Sequence, residues 1–339
     1  MKRFNKYFYL VCVMLFALVL VVGCGEVATD DYDDESSEAT DDYEETSSET
    51  DDDNGETTAE VAGDGYINIE DPLGFSVTIP PNVESIIPLT PAVTGILIDL
   101  GLAPYIVATD TFSALQFGLN DLPAFDMMNI EVESMIELNP DLVIAHDMIM
   151  MGDVENDPLE PLRDFGIAVA YLPVSMSLED ISRDIHFLGE ITRRVDEATE
   201  LDATFRDELS EIEEIVSASD KNPTVYFEIA PAPDMFTFGS GTFQQELLEV
   251  VGAINVFADQ EGWFPVETES VVETNPDVIF TDAGFEEDPV GDILDRTGWG
   301  EMDAIVNERV YYIDSDSSSI PNHHVVIALR MMADYLHGE

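Results

Sequence analysis

The chain has 339 residues, 45% of them hydrophobic, and carries 72 acidic against 12 basic residues for a formal net charge of −60. That balance excludes a nucleic-acid partner, because no basic patch is available to neutralise phosphates. Only Cys12 and Cys24 are present, so a disulfide framework is excluded too and stability falls to an ordinary hydrophobic core.

The N-terminus carries Lys2, Arg3 and Lys6, then an apolar run from Phe8 to Val22 that closes on Gly23-Cys24. The run is shorter than the roughly 20 residues that span a bilayer. A small residue before a cysteine fits a lipoprotein signal peptide over residues 1–23, with Cys24 acylated on its thiol after cleavage. Residues 24–64 hold 18 acids and no base. Such a segment buries too little to fold and is held extended by self-repulsion, as a tether between lipid and domain. The expected location is the extracytoplasmic face of the cell membrane. The remaining chain still has 54 acids against nine bases, a surface suited to saline surroundings, where screening weakens self-repulsion.

Residues 66–80 alternate apolar and polar about Pro72-Leu73-Gly74 and predict a hairpin. A strand up to Leu89, a turn at Thr90-Pro91 and an apolar helix ending near Gly101 follow. Further strands are predicted over 105–110, 142–146 and 168–173, then over 224–230, 277–282 and 310–314. Between the two series, apolar residues three or four apart from Leu178 to Ile212 predict one helix of roughly 60 Å, with a break at Arg193-Arg194 as the alternative. Strands alternating with helices imply parallel sheets whose sites lie beyond the strands' C-terminal ends. The division is a first lobe over 65–177, a connecting helical segment over 178–221 and a second lobe over 222–339.

A segment occurs twice. Residues 131–141 read EVESMIELNPD and residues 267–277 read ETESVVETNPD, each running into a β-branched strand. A short helix followed by a buried strand, once per lobe, accounts for both copies.

Five stretches in order carry a resemblance: SIIPLTPAVTGIL, ESMIELNPDLVIA, SLEDISRDIHFLGEIT, TFGSGTFQQELLEVVGAINVFAD and GWFPVETESVVETNPDVI. Over residues 66–339 the chain resembles the solute-binding lipoproteins of ABC importers for ferric siderophores, cobalamin and haem. The resemblance implies an α/β fold of class III: two Rossmann-like lobes with mostly parallel sheets, one long backbone helix and a ligand cleft between the lobes. It also implies that Glu133 and Glu269, matched across the repeat, dock into arginine pockets of a permease dimer, with an ATPase behind it. Arg–carboxylate pairs are directional as well as attractive, although the same glutamates also suit helix N-termini through the macrodipole. Glu131 and Glu267 are duplicated as well, so either member of each pair qualifies.

Strand-end positions supply the candidate ligand contacts. In the first lobe these are Pro91, Asp110, Thr111, Met127, Met128, His146, Asp147 and Met148, with Met150 and Met151 beside them. In the second they are Glu228, Phe236, Trp263, His323 and His324, with Met235. The resemblance implies a cleft tryptophan at Trp263. It also implies an arginine where His323-His324 stand, which disfavours an anionic siderophore. Met127-Met128 with a histidine would instead suit haem, through thioether and imidazole ligation; singly, each methionine is equally suited to filling gaps in a core.

No catalytic motif, zinc-spaced Cys/His set or phosphate-cradling loop occurs. The expectation is a binding protein rather than an enzyme, with no intrinsic cofactor or metal. Its solute would be cobalamin or a ferric siderophore, haem being the alternative. A surface adhesion lipoprotein is the reading from another class.

Overall fold

The computed structural model describes residues 60–61, 65–150 and 157–338. The signal peptide, Cys24, Met151 and nearly all of the tether lie outside the described residues. The tether's last part is an exception: β1 (Glu60–Val61) pairs antiparallel with β2 (Ile67–Glu70), which pairs with β3 (Ser76–Ile79). Asp71 shapes the β2–β3 turn, its Oδ1 accepting from the backbone N–H groups of Leu73 and Phe75 at 3.0 and 2.9 Å. Gly74 supplies the left-handed φ of 88°. The other oxygen of Asp71 accepts from Tyr171 N–H at 2.8 Å and pins the hairpin to the first lobe.

That lobe runs β4 (Ile86–Pro88), α1 (Pro91–Leu97), β5 (Thr109–Asp110), α2 (Thr111–Gln116), β6 (Ala124–Phe125), α3 (Val132–Leu138), β7 (Leu142–His146), α4 (Glu160–Asp164) and β8 (Ala168–Leu172). Two helices follow, α5 (Leu178–Ile191) and α6 (Val195–Ser217). The second lobe runs β9 (Thr224–Glu228), β10 (Phe236–Phe238), α7 (Phe243–Val250), β11 (Ile254–Asn255), β12 (Trp263–Pro265), α8 (Thr268–Thr274) and β13 (Val278–Thr281). It ends with α9 (Pro289–Leu294), α10 (Asp303–Val306), β14 (Val310–Tyr312), α11 (Ser315–Ser319) and α12 (Val325–His337).

In the first lobe β4, β7 and β8 pair in parallel, and a parallel bridge from Ile106 to Ile86 sets β5 and β6 beyond β4. The second sheet is parallel throughout in the order β11-β9-β13-β14. Counted over its own paired strands from the first, the first lobe reads 3-2-1-4-5 and the second 2-1-3-4, so in both the strand order reverses beside the first strand. The expected α/β fold with parallel sheets is therefore present, built twice. The strand expected over 105–110 is cut to its last two residues, because Ala103–Tyr105, with Pro104, form a 3₁₀ turn.

The helical segment departs from the single-rod expectation. It breaks where the alternative placed it: Arg193 takes a left-handed φ of 59°, and α5 folds back along the first half of α6. Arg206 of α6 reaches Glu179 at 3.2 Å, and His186 of α5 lies 3.0 Å from Asp202. Only α6 bridges, a rod of 23 residues, or roughly 35 Å. Its first half meets α5, while Arg330 of α12 pairs with Glu211 at 2.8 Å near its far end.

Alternation along the strands explains the core. Ile86, Leu142, Ile144 and Ala170 of the first sheet join Val225, Phe227, Val278 and Phe280 of the second in one cluster with α5, α6 and α12. The opposite faces form private cores, one around Val143, Ala145 and Tyr171 and the other around Tyr226, Ile279 and Trp299.

The α5–α6 crossing yields a test. A Cβ on Gly189 would stand 2.3 Å from Ala198 Cβ and 3.1 Å from Arg194 O. Gly189→Ala should cost about 1–3 kcal/mol in equilibrium urea unfolding. Gly300→Ala, with nothing within 4 Å, should stay within about 0.5 kcal/mol of wild type.

Candidate functional site: a cavity between the two sheets

In both lobes the strand order reverses between the first strand and the neighbour on its other side, β4 with β7 and β9 with β13, and in such sheets the crevice outside the C-terminal ends is open to ligand. In this fold those ends are the loops after β4 and β7, and after β9 and β13, of which the loops after β4, β7 and β13 reach the cavity. A cavity of about 420 Å³ lies there, walled by the first lobe at Pro91, Phe112, Leu115, Met127, Met128, His146, Met148 and Val174, and by the second at Gly284, Phe285, Ser315, Asp316, Ile320 and Pro321. Most of this wall is apolar, and no arginine or lysine is among the lining residues.

Local chemistry sets the first-lobe wall. Thr90 caps α1, its Oγ1 accepting from Val93 N–H at 3.3 Å with Pro91 in the first turn. Asp110 caps α2 in the same manner, accepting from Phe112 and Ser113 N–H at 2.8 and 2.9 Å. Behind them Thr94 donates to Ser113 Oγ at 2.9 Å in a fully buried polar layer. Both helix starts are thus fixed from below.

Five sequence candidates line the cavity: Pro91, Met127, Met128, His146 and Met148. The others do not, and each has a visible alternative occupation. Asp110 is buried as the α2 cap, and burial pushes its carboxyl above the ordinary range despite the hydrogen bonds it accepts. Thr111 opens α2, one residue before the lining Phe112. Asp147 accepts from Val174 N–H at 3.3 Å. Glu228 is 1% exposed and paired with Arg296, Nη2 to Oε1 at 3.0 Å, while that guanidinium stacks 4.2 Å from the Trp299 ring. It is an internal ion pair of the second lobe. Phe236 and Trp263 lie in the β10–β12 ladder, opposite Pro265 and Phe238 respectively, and pack on the main core, with the indole N–H donating to Gln244 at 3.1 Å. Met150 and Met235 are core residues.

His323 and His324 turn away from the cavity. Both Nε2 atoms approach Asp99 Oδ2, at 2.7 and 2.8 Å, joining the second lobe to the turn after α1. Burial, and then His324, hold His323 below its ordinary pKa. Sequence reasoning missed Asp99, which lies 224 residues from His323. It also missed Phe112, Leu115, Val174, Phe285 and Ile320. The signal that finds Phe112, Val174, Phe285 and Ile320 is position just past a strand or short helix end; Leu115 comes one helical turn later.

His146 is the one imidazole in the cavity lining. It is buried, its Nε2 has no hydrogen-bond partner, and desolvation holds its pKa at about 4. The ring is neutral at neutral pH.

The repeat is reproduced atom by atom. Asn139 and Asn275 close α3 and α8 with left-handed φ values of 46° and 45°. Asp141 Oδ2 accepts from Ser85 N–H and Oγ at 2.9 and 2.7 Å; Asp277 Oδ2 accepts from Thr224 N–H and Oγ1 at 2.8 and 2.7 Å. Glu133 and Glu269 occupy the first turns of α3 and α8 and are exposed. Each helix leads directly into a parallel strand, so each helix start lies at the edge where the strands end, which is the cavity side.

Residues 86–317 match the sequence profile of the family described as Periplasmic binding protein. The chain is 29% identical over 328 residues to an uncharacterized ABC transporter substrate-binding lipoprotein, YvrC, of Bacillus subtilis, covering 96% of each chain. It is 26% identical over 261 residues to the Vitamin B12-binding protein of Vibrio cholerae, covering 76% of this chain and 90% of that one. A solved structure of a possible iron-binding, periplasmic solute-binding protein from Staphylococcus epidermidis is similar with a TM-score of 0.64 at 30% identity, covering 76% and 99%. Among the described residues no helix is long and apolar enough to cross a membrane.

His146 and Asp184 titrate with opposite sign. The unfolded chain protonates His146 near 6.5 and the fold only near 4, so this residue costs stability as pH falls through that window. Asp184, raised to about 7 by burial from 3.8, costs stability as pH rises through its own. In His146→Leu the first contribution disappears. Between pH 7 and pH 4 the wild type should lose about 3 kcal/mol more than the variant, read from urea midpoints at each pH. A parallel pair of curves would refute the buried neutral ring.

Proposed function

This chain belongs to the periplasmic binding protein family, and we propose that it captures a corrinoid of the cobalamin type and delivers it to an ABC permease dimer and its ATPase. One observation carries the ligand choice: a cavity between the lobes with a mainly apolar wall, no lining cation and one lining acid, Asp316. An anionic ferric siderophore meets no positive partner there. A corrin periphery bears neutral amides and needs none. The relative named for vitamin B12 supports the same choice. Leu115 and Met128, 58% and 54% exposed at the cavity rim, would cover the part of the macrocycle that the cavity does not enclose.

Haem is the second reading, favoured by the neutral His146 with its unpartnered Nε2 beside Met127, Met128 and Met148. Imidazole and thioether are both suitable axial donors. The propionates would have to stay in solvent. A stalked adhesin, by contrast, has no use for an apolar cavity between two lobes.

Glu133 and Glu269 are the docking residues in this reading. They are exposed, occupy equivalent positions in the two lobes and lie on the cavity edge, so one approach of the permease meets both. Cys24 would hold the protein to the outer face of the membrane through its lipid.

The reading is tested in two steps. Mixed with cyanocobalamin or hemin in separate runs, the full mature chain should co-elute with the corrin spectrum at one equivalent. A Soret band with no corrin would transfer the assignment to haem. In cells, Glu133→Ala with Glu269→Ala should abolish uptake while the purified double variant binds as tightly as wild type. Uptake that survives the double substitution removes the docking role.

A further inference from the structure

We propose that Asp99, His323 and His324 form a binding site for a divalent cation of the zinc class, outside the cavity, which ties the first lobe to the second. The three side chains offer one carboxylate oxygen and two imidazole nitrogens, all within 4.8 Å of one another. Two imidazoles and a carboxylate, with a water completing the set, are a zinc donor set. Tetrahedral ligands at about 2.0–2.1 Å from zinc stand about 3.3 Å apart, against 2.7 and 2.8 Å from Asp99 to each ring here. A spread of about half an ångström opens the site. Asp99 and His324 side chains are 39% exposed, which gives both the freedom to spread and a path for the ion and its water.

The rings are held for the purpose. Asn322, immediately before them, is buried, and its amide nitrogen stands 2.7 Å from where a Cβ on Gly95 would be. The loop is therefore pressed onto α1 one helical turn before Asp99. His324 N–H donates to Asn322 Oδ1 at 2.9 Å, and the two rings lie with centroids 4.2 Å apart. His323 Nδ1 is buried without a partner, so Nε2 is the nitrogen this ring offers, and the hydrogen bond it now makes to Asp99 would be exchanged for a bond to the ion. A dication is also welcome in a chain of net charge −60.

Position gives the site its consequence. None of the three residues lines the cavity, yet Pro321 does, two residues before His323. A cation here would clamp the loop that carries part of the cavity wall to the helix that carries another part. The proposal stands whatever solute the cavity takes.

The test uses full mature chain stripped with chelator and titrated with Zn²⁺ alone in a calorimeter, with His324→Ala and Asp99→Asn alongside. Wild type should bind one tight equivalent and melt at a higher temperature with zinc. Each variant should bind at least about 10-fold more weakly and lose the zinc-dependent rise in melting temperature, with an unchanged circular dichroism spectrum showing that it folds. A hundredfold excess of Ca²⁺, which prefers oxygen ligands, should leave the zinc in place. Equal zinc affinity in wild type and both variants, or displacement by Ca²⁺, would assign the binding to the acidic surface and overturn the proposal.

Discussion

The structure depends on one shared hydrophobic core. One face of each parallel sheet is buried in the same cluster, with α5, α6 and α12 between them, so the two lobes are joined by common apolar burial as well as by chain. Burial at roughly 25 cal/mol per Å² makes that cluster the main force holding the lobes in register. Relative motion would have to expose it. The strand ends that wall the cavity are anchored to this core through Leu172, Phe227 and Phe280, which fixes the spacing of the walls before any solute arrives.

Electrostatics divides the molecule differently. With so few cations, six of the eight arginines among the described residues are committed to acids: Arg163 to Asp157, Arg183 to Asp180, Arg194 to Glu197, Arg206 to Asp202 and Glu179, Arg296 to Glu228, Arg330 to Glu211. Two of these pairs use nearly buried carboxylates, where removing the arginine would leave a charge stranded in low dielectric. What remains for the cavity is a mainly apolar wall with a neutral imidazole, one acid and a few neutral polar side chains such as Gln116 and Ser319. Under the proposed function, selectivity against anionic solutes would follow from the distribution of a scarce resource.

Local patterns were legible in the sequence; long-range pairings were not. The Asn-Pro-Asp repeat can be read because its jobs are local: asparagine tolerates the left-handed C-cap, proline stops the helix, and aspartate ties one strand start to its neighbour. The cavity methionines and His146 follow from strand-end position. Glu228 looked equally suited, since nothing in one dimension shows that Arg296, 68 residues on, neutralises it. Likewise, the turn toward Asp99 cannot be seen from His323-His324. The helix break at Arg193 could be read only as an alternative, since the left-handed residue there is an arginine and carries no turn signal.

The duplicated positions can be sorted by whether the fold uses them. Asn139 and Asn275, Pro140 and Pro276, Asp141 and Asp277 each have a job visible within their own lobe. Glu133 and Glu269 have none: neither makes a hydrogen bond or ion pair among the described residues. A favourable interaction with the helix N-terminus is worth about 0.3–1 kcal/mol at an exposed position and would be met as well by aspartate, or by a glutamate one position along. Glu131 is partly engaged, accepting from Ser134 Oγ at 3.4 Å, which weakens the claim of the outer pair. Glu137 and Glu273 are duplicated and exposed too, but they stand in the last turns of α3 and α8; it is the place at the helix starts that suits Glu133 and Glu269 to the proposed partner with two equivalent halves.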